Sequence, residues 1–237
     1  MPKRYWYVIL TYIIMQFSGF VFAPILYLLT PLGVNDTGVY WSIFSFIAAL
    51  IVVLWLMRPD MNMSQYRQGP PTWEIILWSI AGLFMAYFAN SIASVIETVV
   101  LGINPTSENT ELIMDITRSA PFFMVITAIV APILEEIIFR KIIFGELYKR
   151  MNFFLAAALS ALVFGFIHGE PEHILVYASM GFVFAFLYVQ TKRIIVPIVV
   201  HMAMNSISVI VQLSLDQEDF DNMMEQFQQM QMIFIGG

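Results

Sequence analysis

The amino-acid sequence predicts an all-α protein, a polytopic bundle of about seven transmembrane helices, with six and eight as the limits of the count. Of its 237 residues, 59% are hydrophobic and only 12% are charged, whereas about 25% of the residues of a typical soluble domain are charged. Several apolar stretches exceed the roughly 18 residues that indicate a helix spanning a bilayer. Such a chain cannot cover its surface with polar groups, so the composition excludes a soluble globular domain.

The predicted spans are separated by short segments that contain helix-breaking residues, such as Pro31, Gly69 and Pro105. The seven spans cover residues 5–29, 39–57, 73–101, 121–144, 153–168, 173–190 and 194–213. Together they form one predicted bundle, 1–213, in which no internal repeat is visible. The remaining segment, 214–237, is acidic and is expected to be either an amphipathic helix or a disordered tail.

Charged residues between the spans alternate in sign along the chain. Nine of the eleven basic residues fall in alternate connections: Lys3, Arg4, Arg58, Arg67, Lys141, Lys149, Arg150, Lys192 and Arg193. Acidic residues dominate the opposite connections. Because basic loops stay on the cytoplasmic side of a membrane, we expect a multi-pass integral membrane protein with a cytoplasmic N-terminus, in the plasma membrane if the chain is bacterial.

The fourth predicted span contains charged residues in an apolar setting. Glu136 and Arg140 are four residues apart, so they lie on one helix face and can form an ion pair. Glu135 points roughly 100° away, which leaves its carboxylate free to face a cavity. A desolvated carboxylate is hard to ionise, and this makes it suitable as a general base. Pro132 is either a kink that admits water beside the glutamates or only a packing feature.

Two histidines and one asparagine lie in later apolar spans. His168 ends the fifth span, and His201 and Asn205 share one face of the seventh because they are four residues apart. An imidazole beside an amide can bind a metal or donate hydrogen bonds to an oxyanion. Each of these residues alone is more often structural. Together with the two glutamates of the fourth span they predict a functional site.

Other polar residues are weaker candidates for function. Glu97 lies near the end of the third span and is interpreted as an interfacial residue. Glu170, Glu172 and His173 lie in a connection between spans, where a solvated loop is a better interpretation than a cation site.

The order of the polar residues in the later spans resembles that of a known family. Successive spans contain Glu-Glu-x-x-x-Arg, then Phe-x-x-x-His, then His-x-x-x-Asn. The residues that carry the pattern are Glu135, Glu136, Arg140, Phe164, His168, His201 and Asn205. This ordered set resembles the CPBP family of intramembrane proteases, also called Abi or CAAX-protease-like, which includes the type II CAAX prenyl endopeptidases. The resemblance covers about residues 120–210.

The resemblance implies a membrane-embedded peptidase that hydrolyses a peptide bond with water held inside the bundle. By this resemblance, Glu135 and His168 would activate the water, and His201 and Asn205 would stabilise the oxyanion. The carboxylate–guanidinium pair of the fourth span would hold the site together. A rival arrangement makes Glu135, His168 and His201 ligands of a zinc ion, although the chain has no His-Glu-x-x-His motif. The expected cofactor is therefore either none or a divalent metal, with zinc as the first candidate.

The expected partners are membrane lipid and a membrane protein or peptide substrate, whether lipid-modified or not; no nucleic-acid partner is expected. Two alternatives come from other functional classes: a non-catalytic membrane scaffold or immunity protein, and a transporter that relays protons through buried carboxylates. The complete motif set favours the peptidase over the scaffold. The lack of an internal repeat weighs against the transporter, since many transporter folds contain one.

Overall fold

The computed structural model describes residues 1–61, 70–105 and 107–214, and these fold as a bundle of helices. The described helices are α1 (Lys3–Leu29), α2 (Val34–Met57), α3 (Thr72–Val95, continued by a π-helical turn, Ile96–Val100), α4 (Glu108–Ser119), α5 (123–148), α6 (Phe153–Ile167), α7 (Ile174–Thr191) and α8 (Ile195–Ser214). These residues contain no β-strand, which confirms the predicted all-α fold. The predicted acidic tail, apart from Ser214, lies outside the described residues, as does the basic residue Arg67.

Five described helical segments are long and apolar enough to cross a membrane: Lys3–Leu29, Val34–Asp60, Thr72–Val100, Pro171–Thr191 and Ile195–Ser214. Their outward-facing side chains include Phe20, Phe84 and Phe88, which are strongly exposed and therefore suited to a lipid environment. The fourth and fifth predicted spans are also helical, as α5 and α6. They do not qualify on length and composition because α5 contains several charges and α6 has only 15 residues.

Helix α5 lies at the centre of the bundle. It contacts α1 and α2 on one side and α6, α7 and α8 on the other, while α1 packs against α2 and α3 packs against α7 and α8. Side chains along α5 are almost inaccessible, as at Leu134, Phe139 and Ile142. The charged residues of this helix are therefore held in the interior by an apolar core.

Helix α5 alternates between α-helical and π-helical geometry, and one of its four changes falls between the two glutamates. Its pieces are Phe123–Val125 (α), Ile126–Val130 (π), Ala131–Glu135 (α), Glu136–Phe144 (π) and Gly145–Tyr148 (α). A π-helical turn contains more residues than an α-helical turn, so successive side chains are separated by less than about 100°. Pro132 follows the first π-helical piece and lies in the first turn of the α-helical piece, where its missing N–H is tolerated.

Helix α4 occupies a segment that the sequence predicted to be a connection. The Ser107 side chain caps its start by accepting a hydrogen bond from the Thr110 backbone N–H at 3.1 Å. Met114 and Thr117 are buried, and the helix contacts α8 and the first turn of α5. A polar helix with one buried face was missed because its apolar residues are few. The serine cap and the acidic first turn were the available signals.

Candidate active site

Glu136 and Arg140 form a completely buried ion pair on α5. Arg140 Nε lies 3.2 Å from Glu136 Oε2, and both residues are 0% exposed. The guanidinium also faces three aromatic rings, with its Cζ 4.5 Å from the Phe164 centroid, 5.2 Å from Phe184 and 5.9 Å from Phe139. These rings partly replace the water that the charge has lost. The predicted pairing of the two residues is confirmed.

The imidazole of His201 lies between the two glutamates of α5. Its Nδ1 is 2.9 Å from Glu136 Oε1, and its Nε2 is 3.8 Å from Glu135 Oε2. The first distance is that of a hydrogen bond, whereas the second is too long for a direct one. Stacking against Phe184, with ring centroids 5.0 Å apart, fixes the plane of the ring. The expectation that the two carboxylates diverge is therefore modified, because both approach the same imidazole at the start of the π-helical piece.

The two glutamates differ sharply in their access to the interior cavity. The Glu135 side chain is 14% exposed, whereas that of Glu136 is 0% exposed. Glu136 is occupied by Arg140 and His201. Glu135 is the carboxylate of the two that can meet a water molecule or a substrate, as expected from the sequence.

His168 is held at the end of α6 in one tautomer. Its Nδ1 lies 2.7 Å from the backbone oxygen of Phe164, and a carbonyl oxygen can only accept a hydrogen bond. Nδ1 must therefore carry the proton, which leaves a lone pair on Nε2 if the ring is neutral. The ring packs edge-to-face against Phe164 with centroids 4.5 Å apart, and it stacks on Tyr177 at 4.2 Å.

Asn205 ties α8 to the irregular part of α5. Its Nδ2 donates a hydrogen bond to the backbone oxygen of Thr127 at 3.0 Å, within the π-helical piece Ile126–Val130. This bond uses one of the two amide hydrogens and fixes the orientation of the side chain. His201 and Asn205 thus share a helix face as predicted, but each is anchored by a different contact with α5.

A partly open cavity of about 590 Å³ is lined by several of the candidate residues. The candidates that line it are Glu135, His168, His201 and Asn205. Tyr12 and Gln16 of α1 line it as well, and the Gln16 amide donates to the Tyr12 hydroxyl at 3.1 Å. Neither α1 residue was a sequence candidate. Their spacing of four places them on one helix face, but neither is one of the ionisable residues that mark a site within an apolar span.

The residues proposed as zinc ligands do not form a compact ligand set here. Among the residues that the structure describes, no three His, Cys, Asp or Glu side chains are grouped so that they could hold a metal ion. Glu135, His168 and His201 nevertheless line one cavity.

Glu97 and His173 are buried, which corrects their assignment as an interfacial residue and a loop residue. Glu97 is 2% exposed, and its carboxylate lies 3.0 Å from His173 Nδ1. The same carboxylate accepts the backbone N–H groups of Leu175 at 2.9 Å and Val176 at 3.1 Å. The first N–H groups of a helix have no hydrogen-bond partner within that helix. The Glu97 carboxylate, at the end of α3, accepts two of these N–H groups at the start of α7.

Glu170 is also buried, contrary to the expected solvated loop. Its carboxylate accepts hydrogen bonds from Ser107 Oγ and the Asn109 backbone N–H at 2.9 Å, and from the Tyr177 hydroxyl at 2.6 Å. Burial alone would raise the pKa of this carboxyl group. The three hydrogen-bond donors, with Tyr177 first, and the nearby His173 lower the pKa by more than burial raises it. The net pKa lies below the ordinary value. Only Glu172 of the predicted loop group is exposed.

Comparison with known proteins identifies the family. A model described as "Type II CAAX prenyl endopeptidase Rce1-like" matches residues 117–207. The chain is 45% identical over 245 residues to "Putative membrane peptidase YdiL" of Bacillus subtilis (strain 168), covering 100% of this chain and 99% of that protein. The chain belongs to the Rce1-like family. This Rce1-like chain is also 32% identical over 223 residues to "Membrane-embedded CAAX protease MroQ" of Staphylococcus aureus (strain USA300), with 89% and 90% of the two chains covered. No solved structure matches it.

The Rce1-like match confirms the family resemblance and covers the sequence from the end of α4 to the middle of α8. All six predicted site residues fall inside it: Glu135, Glu136, Arg140, His168, His201 and Asn205. The alignments with the two relatives extend well beyond this segment. The Rce1-like chain is an integral membrane protein of a peptidase family, and its expected substrate class is a membrane-associated protein.

Proposed function

We propose that this protein is an intramembrane endopeptidase in which Glu135 and His168 activate water while His201 and Asn205 stabilise the oxyanion. The observation that supports this proposal is that the four side chains line one cavity, inside a bundle with an apolar exterior. The substrate is a membrane-associated protein or peptide, with or without a lipid modification. The N-terminus faces the cytoplasm, as the distribution of basic residues favours.

The chemistry follows from what each group can donate or accept. A water molecule near Glu135 gives up a proton to this carboxylate or to Nε2 of His168, and its oxygen attacks the carbonyl carbon of the peptide bond. The carbonyl oxygen becomes an oxyanion that accepts hydrogen bonds from His201 and Asn205. When the C–N bond breaks, the proton is delivered to the departing amine. One peptide bond and one water molecule thus give a carboxylic acid and an amine.

His201 suits the oxyanion role because of its two neighbours. Its Nδ1 donates to Glu136, and its Nε2 faces Glu135 at 3.8 Å. A lone pair on Nε2 would face the Glu135 carboxylate, whereas an N–H on this nitrogen would face an acceptor. In the proposed mechanism Nε2 presents an N–H to the cavity. The buried partner Glu136 orients this histidine, in the way that a carboxylate orients the base of a catalytic triad.

The 3.8 Å separation of Glu135 Oε2 and His201 Nε2 also suits one bridging water molecule. A polar contact longer than about 3.5 Å commonly holds such a molecule. A water placed there would touch the carboxylate that takes its proton and the imidazole ring that later donates to the oxyanion. The nucleophile and the oxyanion donor would thus be positioned together, which is the main requirement for efficient attack.

The test is the substitution Glu135→Gln, which keeps the shape of the side chain and removes its basicity. Proteoliposomes that contain the purified protein are incubated with a membrane-protein extract from the source cells, and new peptide N-termini are counted by mass spectrometry. Positioned acid–base catalysis contributes about 10²–10⁴-fold, so cleavage by the Gln variant should fall by at least about 10²-fold. Full cleavage by the variant would refute the role of Glu135.

Glu146→Gln is the matched control. It is the same substitution in the same helix, and the Glu146 side chain is also 14% exposed, but it pairs with Lys149 outside the cavity. Its cleavage rate should equal that of the wild type. Zinc is measured in the same samples before and after treatment with a strong chelator. Stoichiometric zinc whose removal abolishes cleavage would replace this mechanism with a metal-dependent one. A wild-type protein that cleaves nothing would favour the scaffold or transporter.

A further inference from the structure

The imidazole of His168 needs support beyond its hydrogen bond to the chain. The rotation of a histidine ring about its last side-chain bond has broad energy wells, so a single bond from Nδ1 to the Phe164 carbonyl does not hold the plane of the ring. Phe164 packs edge-to-face against the ring with centroids 4.5 Å apart, and a second residue covers one face of the ring. Tyr177 stacks on the ring with centroids 4.2 Å apart and an interplanar angle of 27°.

Tyr177 is itself held by a buried carboxylate. Its hydroxyl donates a hydrogen bond of 2.6 Å to Glu170 Oε2, and Glu170 is 6% exposed. A hydrogen bond to an ionised acceptor is roughly twice as strong as one between neutral groups. Glu170 follows His168 by two residues, with Gly169 between them at φ 78°. The carboxylate is therefore placed by the same turn that ends the helix of His168.

The first turn of α7, which carries Tyr177, is fixed in two further ways. Glu97 accepts the backbone N–H groups of Leu175 and Val176. Helix α6 approaches α7 so closely at Gly165 that an added Cβ would lie 2.6 Å from a side-chain carbon of Ile174 and 3.3 Å from Cβ of Tyr177. A glycine at this position, three residues before His168, is what allows Tyr177 to reach the imidazole.

We propose that Glu170, acting through Tyr177, is a positioning residue for His168 and keeps its Nε2 directed into the cavity. This inference rests on the proposed function, in which His168 accepts a proton from water. Loss of the Tyr177 hydroxyl frees the tyrosine ring to shift, and the imidazole it covers can then rotate. Glu170 does not line the cavity and contacts the Tyr177 hydroxyl. Tyr177 does line the cavity, and its ring is the group that stacks on the His168 imidazole.

The histidine ring can be observed directly, without a substrate. The chain has three histidines, so the full-length protein labelled with ¹⁵N-histidine gives few side-chain signals. His168→Gln assigns the signals of interest. In the wild type, Nδ1 of His168 should be protonated and Nε2 should not. Tyr177→Phe should shift these signals towards a mixture of tautomers, because the ring no longer has one fixed plane.

Ser107→Ala is the matched control for the spectra. It also removes one hydroxyl donor from Glu170. Ser107 interacts with the Tyr177 hydroxyl as well, but its loss leaves the Tyr177–Glu170 hydrogen bond in place, and it makes no described contact with the His168 ring. Its His168 signals should stay at the wild-type positions, whereas those of Glu170→Gln should move in the direction seen for Tyr177→Phe. Unchanged His168 signals in both Tyr177→Phe and Glu170→Gln would overturn the proposal, as would an equal shift in Ser107→Ala.

A rate measurement completes the test. The substrate is a synthetic transmembrane peptide that contains a bond whose cleavage depends on Glu135. Tyr177→Phe should lower kcat by about tenfold, within the roughly 10²-fold cost of a 1 Å misplacement, and leave KM unchanged. In a His168→Ala background the same change should cost nothing further, because both substitutions remove one function. An equal loss in both backgrounds would overturn the positioning role. A fully active His168→Ala protein would instead defeat the proposed role of His168.

Discussion

The buried Glu136–Arg140 pair offers the sharpest stability prediction. Arg140→Ala leaves Glu136 in the centre of the bundle without its guanidinium, at a position that is 0% exposed. Removing one partner of a buried ion pair typically costs about 3–5 kcal/mol. The His201 Nδ1 contact with Glu136 at 2.9 Å survives the substitution, so the carboxylate keeps one partner. The substitution also removes the contacts of the guanidinium with the Phe164 and Phe184 rings, and this loss adds to the destabilisation.

The expected result is a large drop in thermal stability. One kcal/mol shifts the Tm of a protein of about 150–250 residues by about 2–4 °C, so a loss of about 3–5 kcal/mol corresponds to about 6–20 °C. The measurement is thermal unfolding of the purified protein in one detergent. Arg140→Met keeps most of the side-chain volume and removes the charge, so it separates electrostatic from packing losses. The double variant Glu136→Gln, Arg140→Gln should recover part of the stability because no charge is left unpaired.

Lys149→Ala is the surface control. Lys149 is 66% exposed and pairs with Glu146, and exposed pairs contribute about 0–1 kcal/mol. Its Tm should therefore lie within a few degrees of the wild type. If Arg140→Ala and Arg140→Met both unfold at the wild-type temperature, the ion pair does not stabilise the bundle, and the site must be held by other contacts.

Three further predictions follow from the site, the topology and the buried loop. His201→Ala and Asn205→Ala should each lower kcat by about 10²–10³-fold if they bind the oxyanion, and wild-type rates would refute that role. The chain contains no cysteine, so a single introduced cysteine reports on its own position. Asn35→Cys should react with an impermeant thiol reagent added outside intact cells, and Thr72→Cys should not. The reverse result would show that the N-terminus lies outside the cell. The pKa of Glu170 is lowered in the folded protein. The ionised carboxylate therefore stabilises the fold above the ordinary pKa of 4.5, and this stabilisation is lost as the pH falls through the pKa of the folded state. Thermal unfolding from neutral pH down to about pH 2, which spans the ordinary and the lowered value, should show a steeper acid loss in the wild type than in Glu170→Gln. Equal slopes would contradict this assignment.

The features that could be predicted from the sequence are those that depend on long apolar runs, on helical spacing and on the cost of burying a charge. Long apolar runs can only be spanning helices, so the fold class and most helices were accessible from composition. The spacing of four between Glu136 and Arg140 sufficed to predict their ion pair, because residues four apart in either helical geometry stay near each other. The family pattern placed His168, His201 and Asn205 in the same site.

The contacts within the site could not be read from spacing. An α-helical geometry separates Glu135 from Glu136 by about 100°, whereas the π-helical piece that begins at Glu136 lets both carboxylates approach His201. The choice between α-helical and π-helical turns depends on packing around α5, which a single sequence does not encode locally. Glu97 and Glu170 were misplaced for a related reason. Their partners are backbone N–H groups and hydroxyls of distant segments, 61 to 79 positions apart in the contacts with Asn109, Ser107, Leu175 and Val176.

The charge balance of the site links the roles of its residues. Arg140 pairs with the completely buried Glu136, whereas Glu135 faces the cavity. His201 lies between the two carboxylates, with one ring nitrogen facing each. Proton transfer from water to Glu135 would remove one negative charge just as the oxyanion forms, so the negative charge beside His201 would pass from the carboxylate to the oxyanion. Glu135 and His201 therefore act as one unit, and their substitutions should not add independently.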